Sequence, residues 1–266
     1  MHSGRRRSAW QPRLWSLYGE WVTSSANDVK QNLVLAALPT VDVDRLRPHL
    51  ELIHMPAGRT LHEPGERLSY AYFPTTCIVS LVCLMEDGTS AQLAVTGPEG
   101  LVGTSLLMGR GTTSNRSLVQ CGGYAYRLRA TFLNPEVPPG SRLHRPALRF
   151  THALVTQMGQ TAACNRHHAV DQQVCRWLLL TLDRVPGNEI KMTQESIAAT
   201  LGVQRERVSE VASHLRTDGL IECRRGSITV MDRAQLEERV CECYAVVKKE
   251  YEALIRDLRA EATKHQ

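Results

Sequence analysis

The chain has 266 residues, of which 42% are hydrophobic and 22% charged, and a net charge of +5. This length allows for about two domains, and the composition is that of a folded protein with a hydrophobic core. No apolar run approaches the about 20 residues of a membrane-spanning helix, and the arginines at 5–7 are not followed by the apolar stretch of a secretory signal. The eight cysteines follow no regular framework, which is typical of reduced thiols in the cytoplasm.

The first 30 residues are basic and polar, and they predict a poorly ordered extension. Three tryptophans are spread among them: Trp10, Trp15 and Trp21. Helices are predicted over residues 29–38, with Pro39 as the stop, and over residues 43–50.

Residues 53–129 alternate between short β-prone runs and turn signals. The predicted strands are 70–73, 78–85, 90–95, 117–119 and 124–128. Asp87 and Gly88 lie between two of these runs and predict a tight hairpin, because both turn positions must tolerate positive φ. Many short strands at this spacing indicate a sandwich or a barrel.

After Pro146 the apolar period changes to 3.6 and predicts one helix that runs to about residue 185, where Pro186 and Gly187 end it. A polar patch at 165–168 interrupts its apolar residues. A helix of about 35 residues is about 50 Å long, which exceeds the width of a small domain. Part of its apolar stripe must therefore be buried against a segment outside the small domain, and a partner helix in a homodimer is the simplest candidate.

The strongest signal in the sequence lies in residues 192–231. Thr193 is a good N-cap with Glu195 in the first turn, and Gly202 supplies the left-handed residue that a sharp turn requires. Apolar residues on both sides of this turn are spaced so that two helices share one core: Ile197, Leu201, Val203, Val208, Val211 and Leu215. Strands are predicted over 220–223 and 227–230, with a basic turn between them that is typical of a wing. The alternative is a compact helical domain with a solvated, charged face.

A winged helix-turn-helix places its second helix in the major groove of DNA. Arg205 and Glu206 lie in the first turn of that helix, where arginine can bridge guanine O6 and N7 and glutamate can accept from cytosine N4. The residues expected at the DNA backbone are Thr193, Gln204, Arg207, Arg224 and Arg225.

From residue 193 to 209, and on through Leu220, Ile221 and the wing, the sequence resembles the Crp/Fnr family of transcription regulators, and the order of the domains agrees over about residues 33–234. The resemblance implies an α+β fold: an N-terminal antiparallel β-roll like a cyclic-nucleotide-binding domain, a long dimerisation helix and a C-terminal winged helix-turn-helix. The expected division is a basic extension 1–30, a β-roll 31–149, a dimerisation helix 150–185, a winged helix-turn-helix 186–234 and a C-terminal helix 235–266.

The resemblance also implies the function: a sequence-specific transcription regulator that binds a pseudo-palindromic operator as a homodimer, with RNA polymerase as a partner. It carries Arg205 and Glu206 over as base-contacting residues, with Ser209 as the third. Glu210 stands where many members have arginine, and a carboxylate repels phosphate, which points to a different operator.

The effector of the β-roll stays open. In the nucleotide-binding branch of the family a glutamate holds the ribose and an Arg-Ser pair grips the cyclic phosphate; Glu99, Arg116 and Ser117 would fill these roles here. Pro98 removes a backbone N–H that could cradle an anion. A cyclic nucleotide is thus one candidate cofactor, and a β-roll that transmits another signal, or none, is the alternative. No cysteine precedes Cys77, so an N-terminal iron–sulfur cluster is not expected, whereas haem sensing stays open.

The remaining constellations are weak. Cys241 and Cys243 lie on a helix predicted over 233–259 and would point in different directions, so we expect packing thiols rather than a metal site. Cys164 and His168 share a helix face at i, i+4, which is a weak hint of a metal site. The sequence carries no phosphate-binding loop or nucleophile elbow, so no enzyme is predicted. Two rival hypotheses are a small-molecule-binding module that acts by protein contact with a degenerate DNA-binding head, and an enzyme or metal sensor that uses the Cys and His groups.

Overall fold

The computed structural model describes residues 28–133 and 142–264. The predicted N-terminal extension, including Trp10, Trp15 and Trp21, lies outside the described residues except for its last three positions. In the two described ranges, no helix is both long and apolar enough to cross a membrane.

The N-terminal half begins with two short helices, α1 (Leu33–Ala36) and α2 (Thr40–Leu46), each next to a 3₁₀ turn. α1 lies within the predicted range 29–38, whereas α2 begins before the predicted range 43–50, directly after Pro39, and only overlaps it. The Asn32 side chain caps α1 by accepting from the Val34 and Leu35 N–H groups. Its amide also donates to the carbonyls of residues 74 and 100, at 2.9 and 2.7 Å, which fixes the helix to the β-structure that follows.

Two antiparallel sheets form the predicted β-roll. Their strands are β1 (Glu51–Met55), β2 (Thr60–His62), β3 (Tyr70–Pro74), β4 (Ile78–Leu84), β5 (Ser90–Thr96), β6 (Arg116–Cys121) and β7 (Gly123–Arg129). One sheet has the order β1-β7-β3 and the other β2-β6-β4-β5, with the short helix α3 (Thr104–Leu107) between β5 and β6. The five predicted strands are confirmed. We missed β1, in which Met55 alone is fully buried, and β2, which has three residues.

The prediction of a single helix that runs to residue 185 is wrong. The segment forms two helices, α4 (His144–His167) and α5 (Val170–Leu182). The backbone is extended at His168 (ψ 150°), the last residue of the polar patch, and at Ala169 (ψ 159°), which follows it. The two helices pack differently, which explains the break. α5 is buried at every residue from 173 to 182, whereas α4 buries one stripe, so one straight helix could not satisfy both environments.

The helix predicted over 233–259 also divides, into α8 (Arg233–Arg239) and α9 (Glu242–Thr263), because the chain is extended at Val240 (ψ 153°) and Cys241 (ψ 162°). α9 then packs along α4, where Tyr251 Oη donates to Gln157 Oε1 at 2.9 Å. The cover that we expected from a partner helix thus comes in part from the same chain.

The C-terminal half contains the predicted winged helix-turn-helix. Helices α6 (Gln194–Leu201) and α7 (Arg205–Thr217) are followed by strands β9 (Ile221–Arg224) and β10 (Ser227–Val230), and β8 (Glu189–Ile190) completes a sheet of order β8-β10-β9. The apolar residues predicted for its core are buried, apart from Val203, which is partly buried.

A buried ion pair joins the β-roll to the end of α5. Arg184 Nε donates to Glu99 Oε1 at 2.7 Å, and the two side chains are 2% and 0% exposed. The Arg184 guanidinium also donates to the Leu180 carbonyl at 2.7 Å and lies 4.6 Å from the centre of the Tyr251 ring. The Gly97 N–H donates to the same Glu99 oxygen at 3.0 Å. Each charge is therefore compensated by several partners inside the protein.

We predict that Glu99→Gln lowers the free energy of unfolding by about 3–5 kcal/mol, because it leaves the Arg184 charge buried without a counter-charge. The matched control is Glu63→Gln. Glu63 pairs with Arg116 at 2.9 Å, but both side chains are about a third exposed, so this change should cost less than about 1 kcal/mol. Urea unfolding followed by circular dichroism measures both. Equal losses in the two variants would show that the buried pair is not formed in solution.

Candidate nucleic-acid interface and ligand cavity

The turn between α6 and α7 is fixed by local hydrogen bonds. Thr193 Oγ1 accepts from the Ser196 N–H at 3.1 Å and caps α6 as predicted. At the other end Gly202 has φ of +69°, and the N–H of Val203 donates to the Ala198 carbonyl at 3.1 Å, which closes the helix. A Cβ on Gly202 would lie 2.9 Å from the Ser90 carbonyl oxygen, so this turn also abuts the β-roll.

The exposed face of α7 begins with the residues predicted to contact bases. Arg205 and Glu206 are exposed in its first turn, and they make no side-chain hydrogen bond or ion pair with the residues that the structure describes. Ser209 differs: its hydroxyl donates to Gln194 Oε1 at 2.9 Å, and the residue is half-buried. This bond ties α7 to α6, so Ser209 is the least accessible of the three.

The residues predicted at the DNA backbone surround this face. Arg225 is exposed at the tip of the wing, where the described part of the chain offers its side chain no partner. Arg224 pairs with Glu222 at 3.3 Å, and Arg207 pairs with Glu210 at 2.9 Å, all exposed. Gln204 is the exposed N-cap residue of α7, and the Thr193 hydroxyl is used in the cap of α6.

The pairing of Arg207 changes the electrostatics expected for Glu210. Because the two side chains form an i, i+3 ion pair, the negative charge that would repel phosphate is largely offset by Arg207. The same pair reduces the attraction that Arg207 alone would exert on the DNA backbone.

A cavity of about 920 Å³ lies between the β-roll and α4. Small polar groups line its β-roll side, including His62, Ser80, Thr96 and Ser117. The side chains contributed by α4 are Thr151, Leu154, Val155 and Met158. Among the described residues that line it, Arg110 is the one Asp, Glu, Lys or Arg. The cavity therefore suits a ligand with a small apolar body and several hydrogen-bonding groups.

His62 adds hydrogen-bonding capacity to this cavity rather than charge. Burial lowers its pKa, and the bond to the Tyr70 carbonyl opposes that change. Nε2 lies 2.9 Å from this carbonyl oxygen, and because a carbonyl can only accept, Nε2 carries the proton and Nδ1 is left as an acceptor.

The structure does not bring the three predicted effector residues together. Ser117 lines the cavity, but Glu99 is held by Arg184 at the junction with α5, and Arg116 pairs with Glu63. Arg116 and Ser117 are neighbours on β6, so they point to opposite faces of the sheet. We missed His62 because β2 was not predicted.

Residues 172–239 match the family of Crp-like helix-turn-helix domains. This match begins inside α5, which our sequence-based division assigned to the dimerisation helix, with the DNA-binding domain from 186. A search of curated proteins found no significant match.

Solved structures share the fold over most of the chain. A transcriptional regulator assigned to the Crp/Fnr family from Eubacterium rectale is 18% identical with a TM-score of 0.61, and covers 76% of this chain and 94% of its own. FixK2 from Bradyrhizobium japonicum is 17% identical with a TM-score of 0.61, over 72% of this chain and 98% of its own. The c-di-GMP-responsive regulator CLP from Xanthomonas campestris is 17% identical with a TM-score of 0.57, over 71% and 98%. Residues 172–239 are thus a Crp-like helix-turn-helix domain, carried on a chain with the fold of the Crp/Fnr transcription regulators.

Proposed function

We propose that this protein is a sequence-specific DNA-binding transcription regulator that acts as a homodimer, with RNA polymerase as a partner. The observation that carries the proposal is the exposed first turn of α7. Arg205 and Glu206 have no side-chain partner there among the described residues, and they belong to the segment that matches the Crp-like helix-turn-helix domain. Their pairing groups match the major-groove edges of guanine and cytosine.

The face of α4 that α9 leaves open supports a homodimer. Leu148 and Val155 are 47% and 61% exposed, and Gly159 and Ala162 are exposed on the same face at heptad spacing. Small residues let two helices approach closely, so a second copy of α4 fits here. A parallel pair of this kind would present two copies of α7 to half-sites about one helical turn, or about 34 Å, apart.

We infer that the effector binds in the cavity between the β-roll and α4. Val155 both lines this cavity and lies on the open face of α4, so the proposed partner helix would help to close it. With Arg110 as the one full charge in the lining, the cavity favours a small molecule with at most one anionic group. A cyclic monophosphate nucleotide meets that condition, although the groups expected to hold it, Glu99 and Arg116, lie elsewhere.

The first test is the selection of bound duplexes from a random DNA pool, at moderate salt, with and without a cyclic nucleotide. We expect enrichment of a palindromic motif, because two identical α7 helices would bind two half-sites. A dependence on the nucleotide would identify the effector class. If no motif is enriched under either condition, the proposal fails, and a module that acts by protein contact is favoured.

The second test separates base contacts from backbone contacts. We expect Arg205→Ala to cost about 1–3 kcal/mol of binding free energy and to relax specificity at one base pair of each half-site. Arg225→Ala is the matched control, since it also removes one exposed arginine that has no partner in the part of the chain that the structure describes. It should weaken binding to all duplexes alike and reduce the slope of log affinity against log salt by about 1. Identical behaviour of the two variants would contradict these roles.

A further inference from the structure

Four potential metal ligands meet where α4 ends and α9 begins. Cys164 and His168 lie at the end of α4, and Cys241 and Cys243 lie at the start of α9. Their sulfur and nitrogen atoms all lie within 4.8 Å of one another. Cys164 Sγ is 3.6 Å from Cys241 Sγ, and Cys243 Sγ is 3.5 Å from His168 Nδ1.

The two helix breaks bring these groups together. We expected Cys241 and Cys243 to diverge on one helix, and that expectation was wrong because Cys241 precedes α9 and has extended backbone. His168 likewise follows the last helical residue of α4. The three cysteines are at most 3% exposed and form a cluster of their own beside Val240, apart from the main core.

Two of the six distances between the proposed ligand atoms are close to those of tetrahedral coordination, and the other four are at most 4.8 Å. With Zn–S bonds of about 2.3 Å and Zn–N bonds of about 2.0–2.1 Å, two thiolates bound to one ion lie about 3.8 Å apart, and a thiolate and an imidazole about 3.6 Å. The observed separations are 3.6 and 3.5 Å. The sulfur–sulfur separation is also far longer than the about 2.05 Å of a disulfide.

Glu242 and Arg176 surround these four residues with a partner for the histidine ring and a positive charge. His168 Nε2 lies 3.4 Å from Glu242 Oε2, which orients the ring so that Nδ1 is the ligand atom. Arg176 is 4% exposed and donates to Thr161 Oγ1 at 3.1 Å, whereas its Nε is buried with no hydrogen-bond partner among the described residues.

The charge of Arg176 complements a thiolate-rich site. Arg176 is close enough to Cys164 and Cys243 for its positive charge to act on both sulfur atoms. Three thiolates, one imidazole and one Zn²⁺ together carry a net charge of −1, for which a buried guanidinium is a suitable counter-ion.

We propose that Cys164, His168, Cys241 and Cys243 bind one zinc ion. Four protein ligands leave no position for water or substrate, so the site is structural. It connects the end of α4 to the start of α9 across the break at 168–169, and so fixes the angle at which the DNA-binding domain leaves the β-roll. The zinc content is measured without DNA or effector, so its result is independent of the proposed function.

The test is elemental analysis of the full-length protein purified under reducing conditions, for zinc and iron together. We expect about one zinc per chain. Cys241→Ser should lose most of that zinc. The matched control is Cys77→Ser, which removes another fully buried thiol but in the β-roll, and it should keep the zinc of the wild type.

A second measurement uses the unaltered chain and so does not depend on how the variants fold. Cobalt(II) exchanged into the wild-type protein should give the intense d–d and thiolate charge-transfer bands of a tetrahedral thiolate-rich site. Wild-type protein without zinc, iron in place of zinc, a Cys164–Cys241 disulfide in the reduced preparation, or cobalt bands of an octahedral site would each overturn the proposal. If Cys77→Ser also lost zinc, the cobalt spectrum would decide.

Discussion

The end of α5 holds the two halves of this protein together through two adjacent charges. Arg184 reaches the β-roll through Glu99, and Asp183, directly before it, accepts hydrogen bonds from Arg233 of α8 and from Tyr244 of α9. Burial raises the pKa of Asp183, and the Arg233 guanidinium opposes this. Buried charges tolerate little displacement, because each loses its compensation when a partner moves. The position of the DNA-binding domain relative to the β-roll therefore depends on this turn of chain, together with the direct contact between Ser90 of β5 and the end of α6.

The cavity and the Cys/His cluster lie along the same stretch of chain. The cavity is bounded by α4, which ends at the Cys/His cluster, and the chain then turns into α5 and reaches Asp183 and Arg184. In the proposed regulator, an effector that shifts α4 would displace both the Cys/His cluster and the turn at Asp183 and Arg184. The ion pairs at that turn would favour a small number of discrete domain arrangements over a gradual change. The proposed zinc ion would keep the break between α4 and α5 from acting as a free hinge.

Local signals made the winged helix-turn-helix predictable, because Thr193, Gly202 and the apolar spacing act within a few residues of one another. Five of the seven strands of the β-roll followed from β-prone runs and turn residues. Contacts between distant segments could not be predicted in this way: Glu99 and Arg184 are 85 residues apart, and the cover of α4 by α9 depends on where the chain reverses. The opposite directions of Arg116 and Ser117 were readable from strand alternation, once 116 was included in the strand.

The Cys/His cluster shows the same difference between local patterns, which the sequence reveals, and contacts between distant segments, which it does not. The spacings of Cys164 to His168 and of Cys241 to Cys243 are visible in the sequence, but continuous helical periodicity hid the two breaks that make them converge. The break at 168–169 coincides with a change of environment, because α5 is buried at every residue from 173 to 182 whereas α4 buries one stripe. Sequence reasoning therefore found the parts of this site and misjudged their geometry.

The central claim is that this fold acts on DNA through α7 and the wing, and the salt dependence of DNA affinity tests it most directly. Dissociation constants for a selected duplex would be measured over a range of salt concentrations. The account predicts that log affinity falls linearly with log salt, with a slope of about −0.9 for each phosphate contacted and several contacts per dimer. A slope near zero, or no affinity at low salt, would contradict it.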